Sequence, residues 1–197
     1  MDGLSTGVCI ITSFFYFVIG FFANDSLLVS ISLSLMGTCL AFLIYNFHPA
    51  KIFLGDSGAI FLGFMLASMG LQVANNKTLP VLTRWMLPIP ILLVPIFDTS
   101  LVTISKLRRG LIPFLHTGKD HSHHRLYNLG LGQRKTVLII YLFALVSGLL
   151  SLCISQLPPL PCYIIFALLI LLGIFLIYFF EKLPYERQEL TDRNSTL

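Results

Sequence analysis

Apolar residues run through this chain in long blocks that short polar breaks separate. A helix needs about 20 apolar residues to cross a hydrocarbon core about 30 Å thick. Six blocks approach that length, at residues 5–23, 27–46, 57–75, 81–105, 135–156 and 160–181. Because a backbone in lipid must satisfy its own hydrogen bonds, each block is predicted to be helical. The pattern therefore predicts an all-α, polytopic membrane protein with about six transmembrane helices.

The composition supports this class. Of the 197 residues, 56% are hydrophobic and 11% are charged, against roughly 25% charged residues in soluble domains. These values exclude a disordered chain and argue against an ordinary soluble domain. The four cysteines show no CxxC spacing and are expected to be packing residues. With a net charge of +4 spread over membrane-flanking loops, no nucleic-acid partner is expected.

The basic residues set the predicted orientation. If the six blocks alternate in direction, 11 of the 13 Lys and Arg residues fall on one side, and Lys77 and Arg84 fall on the other. The positive-inside rule places the basic side in the cytoplasm. We therefore expect a multi-pass protein of the cytoplasmic (inner) membrane, with both termini and the loops 46–57 and 106–134 on the cytoplasmic side. Residues 1–181 form the predicted membrane domain, and 182–197 a cytoplasmic tail.

The first polar cluster runs from Asn46 to Gly58, after the second block. Pro49 disfavours helix at the residue before it and is expected to end the second helix. Asp56 follows, at the start of the third helix, which it can cap, as Ser57 can. Alternatively, Asp56 can bind a hard cation that bridges to a substrate phosphate, with Lys51 adding a positive charge. The residues alone leave both interpretations open.

The second polar cluster is the run from Lys119 to Leu126. If it is helical, Asp120 and His124 lie four residues apart, and His121 and His124 three apart, so they share a face. Histidine and arginine can hold phosphate by charge-assisted hydrogen bonds. A histidine-rich tract can also hold a transition metal, or be a solvated loop without chemistry. We expect phosphate or diphosphate binding by His121, His123, His124 and Arg125.

Asp98 lies inside the fourth block, where a charge costs roughly 2.5–3.5 kcal/mol on insertion scales. It is therefore expected to face the helix bundle and to take part in an ion pair or hydrogen bond. Asp120, His48 and His116 are expected to orient neighbouring groups or to be ordinary loop residues.

These clusters resemble the motifs of a known family, the polyprenyl-phosphate N-acetylhexosamine-1-phosphate transferases, which include WecA/TagO-like and MraY-like enzymes. The run from His48 to Gly58 resembles the family's PAKxFMGDxG motif. Residues 95–99 resemble its PIFDT segment, and residues 120–131 its DxSHxHHRL…LGL loop. Residues 2–7 resemble the end of its NxxDGxDGLxxG motif. The motifs occur in the family's order, and the resemblance covers about residues 2–156.

The resemblance implies an activity. A family member transfers a sugar-1-phosphate from a UDP-sugar to polyprenyl phosphate (undecaprenyl phosphate in many bacteria) and releases UMP, in cell-envelope polysaccharide biosynthesis. Lys51 and the HxHH form of the loop resemble the GlcNAc-1-phosphate branch. The resemblance further implies Mg²⁺, or Mn²⁺ in its place, with Asp56 as ligand and Asp56 and Asp2 as catalytic residues. The implied substrate-binding residues are Asn46, Lys51, His121, His123, His124 and Arg125.

The same resemblance implies that a further segment is needed. Such enzymes have about eleven spans and carry a paired-aspartate motif on an earlier cytoplasmic loop. This motif has no counterpart in the present sequence. The chain is expected to correspond to the C-terminal part of such a transferase and to act with a separate N-terminal half or as a homodimer. Two alternatives stay open. One is a multi-pass transporter in which Asp98 and the histidines mark an ion path, and the other is a non-catalytic membrane scaffold.

Overall fold

The computed structural model describes residues 1–77, 81–112 and 121–183. Among these residues there are nine α-helices and one π-helical turn, and no strand. The elements are α1 Leu4–Phe22, α2 Ser26–Asn46, α3 Gly55–Asn75, α4 Val81–Met86, α5 Pro88–Ile91, α6 Leu93–Arg108, α7 Ser122–Leu126, the π-turn Tyr127–Leu131, α8 Gln133–Ser155 and α9 Pro159–Glu181. The predicted all-α, polytopic class is confirmed.

Five helices, α1, α2, α3, α8 and α9, are long and apolar enough to cross a membrane. Their ends lie within two residues of the spans predicted from the apolar blocks. The agreement has a simple cause, since each of these helices begins and ends where the apolar block does. Pro49 ends α2 as expected: α2 stops at Asn46, and Phe47 already has an extended backbone.

The fourth predicted span, 81–105, is wrong as a single continuous helix. It is divided into α4, α5 and α6, and its two halves, 83–91 and 93–108, are bent by 70°. Pro88, Pro90 and Pro95 have no N–H to donate, which interrupts the helical hydrogen-bond ladder. At the first break, the Leu87 carbonyl accepts a hydrogen bond of 2.8 Å from the hydroxyl of Ser151 on α8. A neighbouring helix thus supplies a donor where the bent span departs from regular helix.

The bent span must cross the bundle. Arg134, in the first turn of α8, donates to the His48 carbonyl at 3.2 Å, and the Tyr141 hydroxyl donates to the Gly3 carbonyl. The start of α8 therefore lies at the end of the bundle where α1 begins and α2 ends. Because α3 leaves that end, α4–α6 must return to it, which gives six crossings within the described residues. We call this end, with residues 1–3, 46–56 and 121–134, the polar end.

At the opposite end, Asp25 joins α2 to α3. One carboxylate oxygen caps α2 by accepting from the Leu28 N–H at 3.0 Å. The other accepts from the side-chain amides of Gln72 and Asn76 at 3.0 and 3.3 Å. Asp25 is therefore a structural acid at this end.

Helix α1 is the centre of the bundle and packs against α2, α3 and α8. Its contact with α8 is close because of two glycines. A Cβ on Gly7 would lie 1.9 Å from the Tyr141 hydroxyl, and a Cβ on Gly148 would lie 2.0 Å from the Phe15 ring. Small residues let membrane helices approach in this way. Helix α9, by contrast, has only 6% of its most apolar stretch buried, so it forms an outer wall of the bundle.

Candidate functional site

Asn46 anchors the loop between α2 and α3. Its side-chain oxygen accepts hydrogen bonds from the Gly3 N–H at 3.1 Å and the Thr6 hydroxyl at 3.2 Å. Its amide nitrogen donates to the Ile52 carbonyl at 2.8 Å. Both ends of this buried amide therefore hold the loop against the start of α1. The predicted contact between Asn46 and substrate stays a prediction.

Asp2 holds the same loop from outside the membrane span. Its Oδ2 accepts from His48 Nδ1 at 2.9 Å and from the Ala50 N–H at 3.3 Å. The hydrogen bond from His48 holds the pKa of Asp2 below its ordinary value. The carboxylate is thus ionised at neutral pH and positions the loop together with His48. A direct catalytic role for Asp2 stays a prediction.

Asp56 lies exposed in the first turn of α3. The N-cap of α3 is Leu54, and no side chain caps the helix, so the capping interpretation of Asp56 and Ser57 is wrong. Gly55, just before Asp56, has a φ of +68°, which glycine adopts at little cost. Within the described part of the chain, the Asp56 carboxylate has no hydrogen-bond or ion-pair partner. Its oxygens are therefore available to a ligand, and Lys51 is exposed in the same loop.

Asp98, on α6, fixes the start of α7, which we call the histidine helix. Its Oδ2 lies 2.6 Å from His121 Nδ1. Its Oδ1 accepts from the Ser122 backbone N–H at 2.7 Å and from the Ser122 hydroxyl at 2.6 Å. The carboxylate thus orients the His121 ring and supplies acceptors to the first turn of a helix that has no N-cap side chain of its own.

The ligand atoms of Asp98, His121 and His123 lie within 4.8 Å of one another, close enough to surround one metal ion. The hydrogen bonds favour a different use. Asp98 already accepts three hydrogen bonds, and one of them comes from Nδ1 of His121. As built, the pair resembles the carboxylate–imidazole pairs in which the acid sets the tautomer and the orientation of the ring.

Three imidazole rings lie together on the histidine helix. The ring centroids of His121 and His123 are 5.3 Å apart, and those of His123 and His124 are 4.4 Å apart. The pKa of His123 is lowered to about 3, chiefly by burial; Asp98 opposes the shift, and the neighbouring histidines add to it. His123 is therefore neutral at physiological pH, and a neutral imidazole can donate one hydrogen bond without adding charge.

The position of Arg125 corrects its predicted contact with substrate phosphate. Its side chain has no exposed surface. Nη2 lies 3.0 Å from Glu181 and 2.8 Å from the Ser105 hydroxyl, and Nη1 donates to the Phe180 carbonyl at 2.6 Å. An enclosed and paired guanidinium cannot reach an external phosphate. Arg125 instead joins the histidine helix to α6 and α9.

Four residues that hold the site in place could not be identified from the sequence motifs: Glu181, Ser105, Arg134 and Tyr141. Glu181 did carry a signal, since it is an acid directly after a long apolar block. The others are ordinary polar residues whose partners lie far away along the chain. His116, Lys119 and Asp120 lie outside the described residues, and so does the tail beyond residue 183.

Comparison with known proteins gives a consistent picture. Residues 1–74 match the model of glycosyl transferase family 4. The chain is 36% identical over 175 residues to the probable undecaprenyl-phosphate N-acetylglucosaminyl 1-phosphate transferase of Bacillus subtilis, covering 88% of this chain and 48% of that protein. It is 36% identical over 160 residues to the decaprenyl-phosphate N-acetylglucosaminephosphotransferase of Mycolicibacterium smegmatis, covering 73% and 39%.

A more distant relative is the phospho-N-acetylmuramoyl-pentapeptide-transferase of Moorella thermoacetica. It is 30% identical over 157 residues, which cover 77% of this chain and 45% of that protein. The chain thus spans about half the length, or less, of the curated relatives it matches. No solved structure matches it.

Proposed function

We propose that this chain forms part of a polyprenyl-phosphate N-acetylhexosamine-1-phosphate transferase, as its motifs predict and as its similarity to such transferases supports. The proposed reaction moves GlcNAc-1-phosphate from UDP-GlcNAc to polyprenyl phosphate. A carrier phosphate oxygen bonds to the phosphorus that bears the sugar, the bond from that phosphorus to the bridging oxygen breaks, and UMP leaves. The observation that carries the proposal is the exposed Asp56 carboxylate, which has no partner in the described part of the chain and lies at the same end of the bundle as the histidine helix.

Asp56 suits a Mg²⁺ ion. Mg²⁺ prefers oxygen ligands and is usually held by one or two carboxylates together with substrate phosphates and water. The Asp56 oxygens are exposed and unpartnered within the described residues, whereas Asp2 and Asp98 already accept hydrogen bonds. When bound, Mg²⁺ neutralises phosphate charge and polarises the diphosphate. Mn²⁺ takes the same kinds of ligand and is the expected substitute.

The chain's own groups supply the remaining charge and hydrogen bonds. The diphosphate and the carrier phosphate bring several negative charges together, which repel one another. Lys51 adds an exposed cation. Asp98 orients the His121 ring, and neutral His123 can donate a hydrogen bond. Asn46 and Asp2 fasten the loop that carries Lys51, so its position relative to the start of α3 is held before substrate binds.

We place the polar end on the cytoplasmic side of the inner membrane. The support is the distribution of charge, because most Lys and Arg residues flank the spans at this end. A site there receives the nucleotide sugar from the cytosol and the lipid phosphate from the bilayer. Because the chain spans about half of its relatives, we propose that activity also needs a segment equivalent to their remaining half.

The test is UMP release. Residues 1–197 are expressed alone and together with the remaining half of the Bacillus subtilis relative, and are then assayed with UDP-GlcNAc, undecaprenyl phosphate and Mg²⁺. We expect UMP release that needs the lipid, the metal and both halves. UMP release without lipid would contradict the transferase assignment. Ion flux through proteoliposomes in the absence of UDP-sugar would instead favour a transporter, and the absence of both activities a scaffold.

A further inference from the structure

The first turn of α8 holds the loop between α2 and α3 from one side. Arg134 Nη2 donates to the His48 carbonyl at 3.2 Å. Gln133, the first residue of α8, hydrogen-bonds through its side chain to the Asp2 carboxylate. That carboxylate also accepts from the His48 ring and from the Ala50 N–H. Two successive residues of α8 therefore bind this loop, one directly and one through Asp2.

The other hydrogen bonds of the loop belong to α1 and α2. Asn46, at the end of α2, ties the loop to Gly3 and Thr6 at the start of α1. Asp2 lies just before α1. Among the hydrogen bonds of the described residues, those of Gln133 and Arg134 are therefore the ones that relate the position of the loop to α8.

The start of α8 is also joined to the histidine helix. That helix runs directly into the π-turn Tyr127–Leu131, and Gly132 then leads into α8. Gly132 has a φ of +71°, a conformation that glycine adopts at little cost, and it turns the chain at this point. The histidine helix also packs against α8. The start of α8 thus connects the two parts of the candidate site, the loop with Lys51 and Asp56 and the helix with the histidines.

We propose that Arg134 is a positioning residue of the transfer reaction, which sets the distance between the loop that carries Lys51 and Asp56 and the histidine helix. The assignment rests on the proposed function and deepens it. In the proposed reaction both parts of the site hold groups of one reacting complex. Their separation therefore decides whether the attacking oxygen and the phosphorus are aligned.

Arg134 can be changed without disturbing the packing of the helices. Its side chain and its hydrogen bond to His48 are exposed. The close contact of α1 with α8 lies elsewhere, at Gly7 and Gly148. Surface substitutions away from buried contacts usually change stability little. Arg134→Ala is therefore expected to keep the melting temperature of the protein.

The matched control is Lys135→Ala. Lys135 is the next residue of α8, is exposed, and carries the same charge. In the described part of the chain it has no hydrogen-bond or ion-pair partner. Arg134→Lys is the conservative variant, because an ammonium group keeps a donor for the single hydrogen bond to the His48 carbonyl.

The first measurement is the distance between the two parts of the site in the 197-residue chain. Spin labels are attached to Ile52→Cys in the loop and Leu129→Cys in the π-turn, two exposed positions, after removal of the four free cysteines. Pulsed electron paramagnetic resonance gives the distribution of label–label distances. Arg134→Ala should broaden this distribution, whereas Arg134→Lys and Lys135→Ala should keep it narrow.

The second measurement is UMP release by the two-half enzyme, in which this chain is co-expressed with the remaining half of the Bacillus subtilis relative. A displacement of about 1 Å can cost up to about 100-fold in rate. Arg134→Ala should therefore lower kcat at least about tenfold and leave the KM for UDP-GlcNAc nearly unchanged. Arg134→Lys should recover most of the lost kcat, and Lys135→Ala should leave it unchanged.

Three outcomes would overturn the assignment. They are an unchanged distance distribution in Arg134→Ala, an unchanged kcat, and a raised KM at unchanged distances, which would indicate direct contact with the nucleotide. A failure of the proposed function gives a different result. If the unaltered two-half enzyme releases no UMP, the transferase is contradicted, whereas a broadened distribution in Arg134→Ala would still support the link between the two parts of the site.

Discussion

The fully enclosed guanidinium of Arg125 lies 3.0 Å from the carboxylate of Glu181, 56 residues later in the chain. This ion pair joins the histidine helix to the end of the last span. The histidine helix has only five residues, too few to be stable alone. Its position therefore depends on two interactions, the hydrogen bonds to Asp98 at its start and the ion pair with Glu181 towards its end.

Removal of Glu181 should destabilise the protein strongly. Glu181→Leu removes the carboxylate that lies 3.0 Å from the buried Arg125 guanidinium, and breaking a buried ion pair by removing one partner typically costs about 3–5 kcal/mol. The double variant Arg125→Met/Glu181→Leu should recover much of that loss, because no uncompensated charge remains. Thermal unfolding of the purified variants in detergent, read as a double-mutant cycle, measures the difference. An equal loss in the single and double variants would show that the pairing of the charges is unimportant.

Asp98→Asn should reverse the tautomer of His121. The asparagine side chain keeps the size of aspartate, but it can present its NH₂ to His121 Nδ1, so the ring proton moves to Nε2. Nitrogen NMR of the imidazole rings reads the tautomer directly. Turnover by the two-half enzyme should fall about 10–100-fold, as for other partners that orient a functional histidine. Ser122→Ala, which keeps the bond between Asp98 and His121, is the control, and an unchanged tautomer in Asp98→Asn would contradict the orienting role.

Asp56→Asn should abolish UMP release by the two-half enzyme without lowering its melting temperature. The amide loses the anionic charge that suits a divalent cation. Stability should be unaffected because the carboxylate has no partner among the described residues. Ser57→Ala changes the next exposed position of the same helix turn and should keep full activity. Full retention of activity in Asp56→Asn would contradict the proposed role of Asp56 as a metal ligand.

Ser151→Ala should cost about 1 kcal/mol of unfolding free energy, because it removes the buried hydrogen bond between the Ser151 hydroxyl and the Leu87 carbonyl, at the first break of the bent span. Ser68→Ala is the matched control. The Ser68 hydroxyl is exposed and bonds only to a carbonyl of its own helix, at 2.8 Å. Chemical unfolding monitored by circular dichroism should separate the two variants. Equal stability would mean that the break needs no donor from α8.

The orientation can be tested with single cysteines. In a background from which the four free cysteines have been removed, Asn76→Cys should react with an impermeant maleimide in intact cells. Lys51→Cys, at the other end of the bundle, should react only after permeabilisation, because the positive-inside rule predicts that this basic end lies inside. The reverse labelling would move the whole polar end to the outer face.

Five spans could be predicted from sequence because each is a long apolar block with polar ends. The bend of the fourth span was not predicted, although Pro88, Pro90 and Pro95 indicate an interrupted helical hydrogen-bond ladder. The blocks report only where the chain is apolar, and the donor from Ser151 lies on another helix, 64 residues from Leu87.

The candidate site could likewise be predicted from the sequence only in part. Motifs identified Asp56 and the histidines, since the residues within each motif are close together in the chain. The pair of Asp2 with His48 and the pair of Arg125 with Glu181 join residues 46 and 56 positions apart. In addition, a helix of five residues has too few turns to show which face is buried. For that reason the sequence suggested a phosphate ligand at Arg125, where the fold has an internal ion pair.

The pairing of Arg125 with Glu181 also sets an order of events during synthesis. A ribosome adds Arg125 56 residues before it adds Glu181, the counter-ion of that arginine, and that interval includes two further membrane insertions, α8 and α9. Until α9 is in place, the arginine is a cation without its carboxylate at the membrane surface. The histidine helix is therefore fixed in its final position only after both α8 and α9 have been inserted.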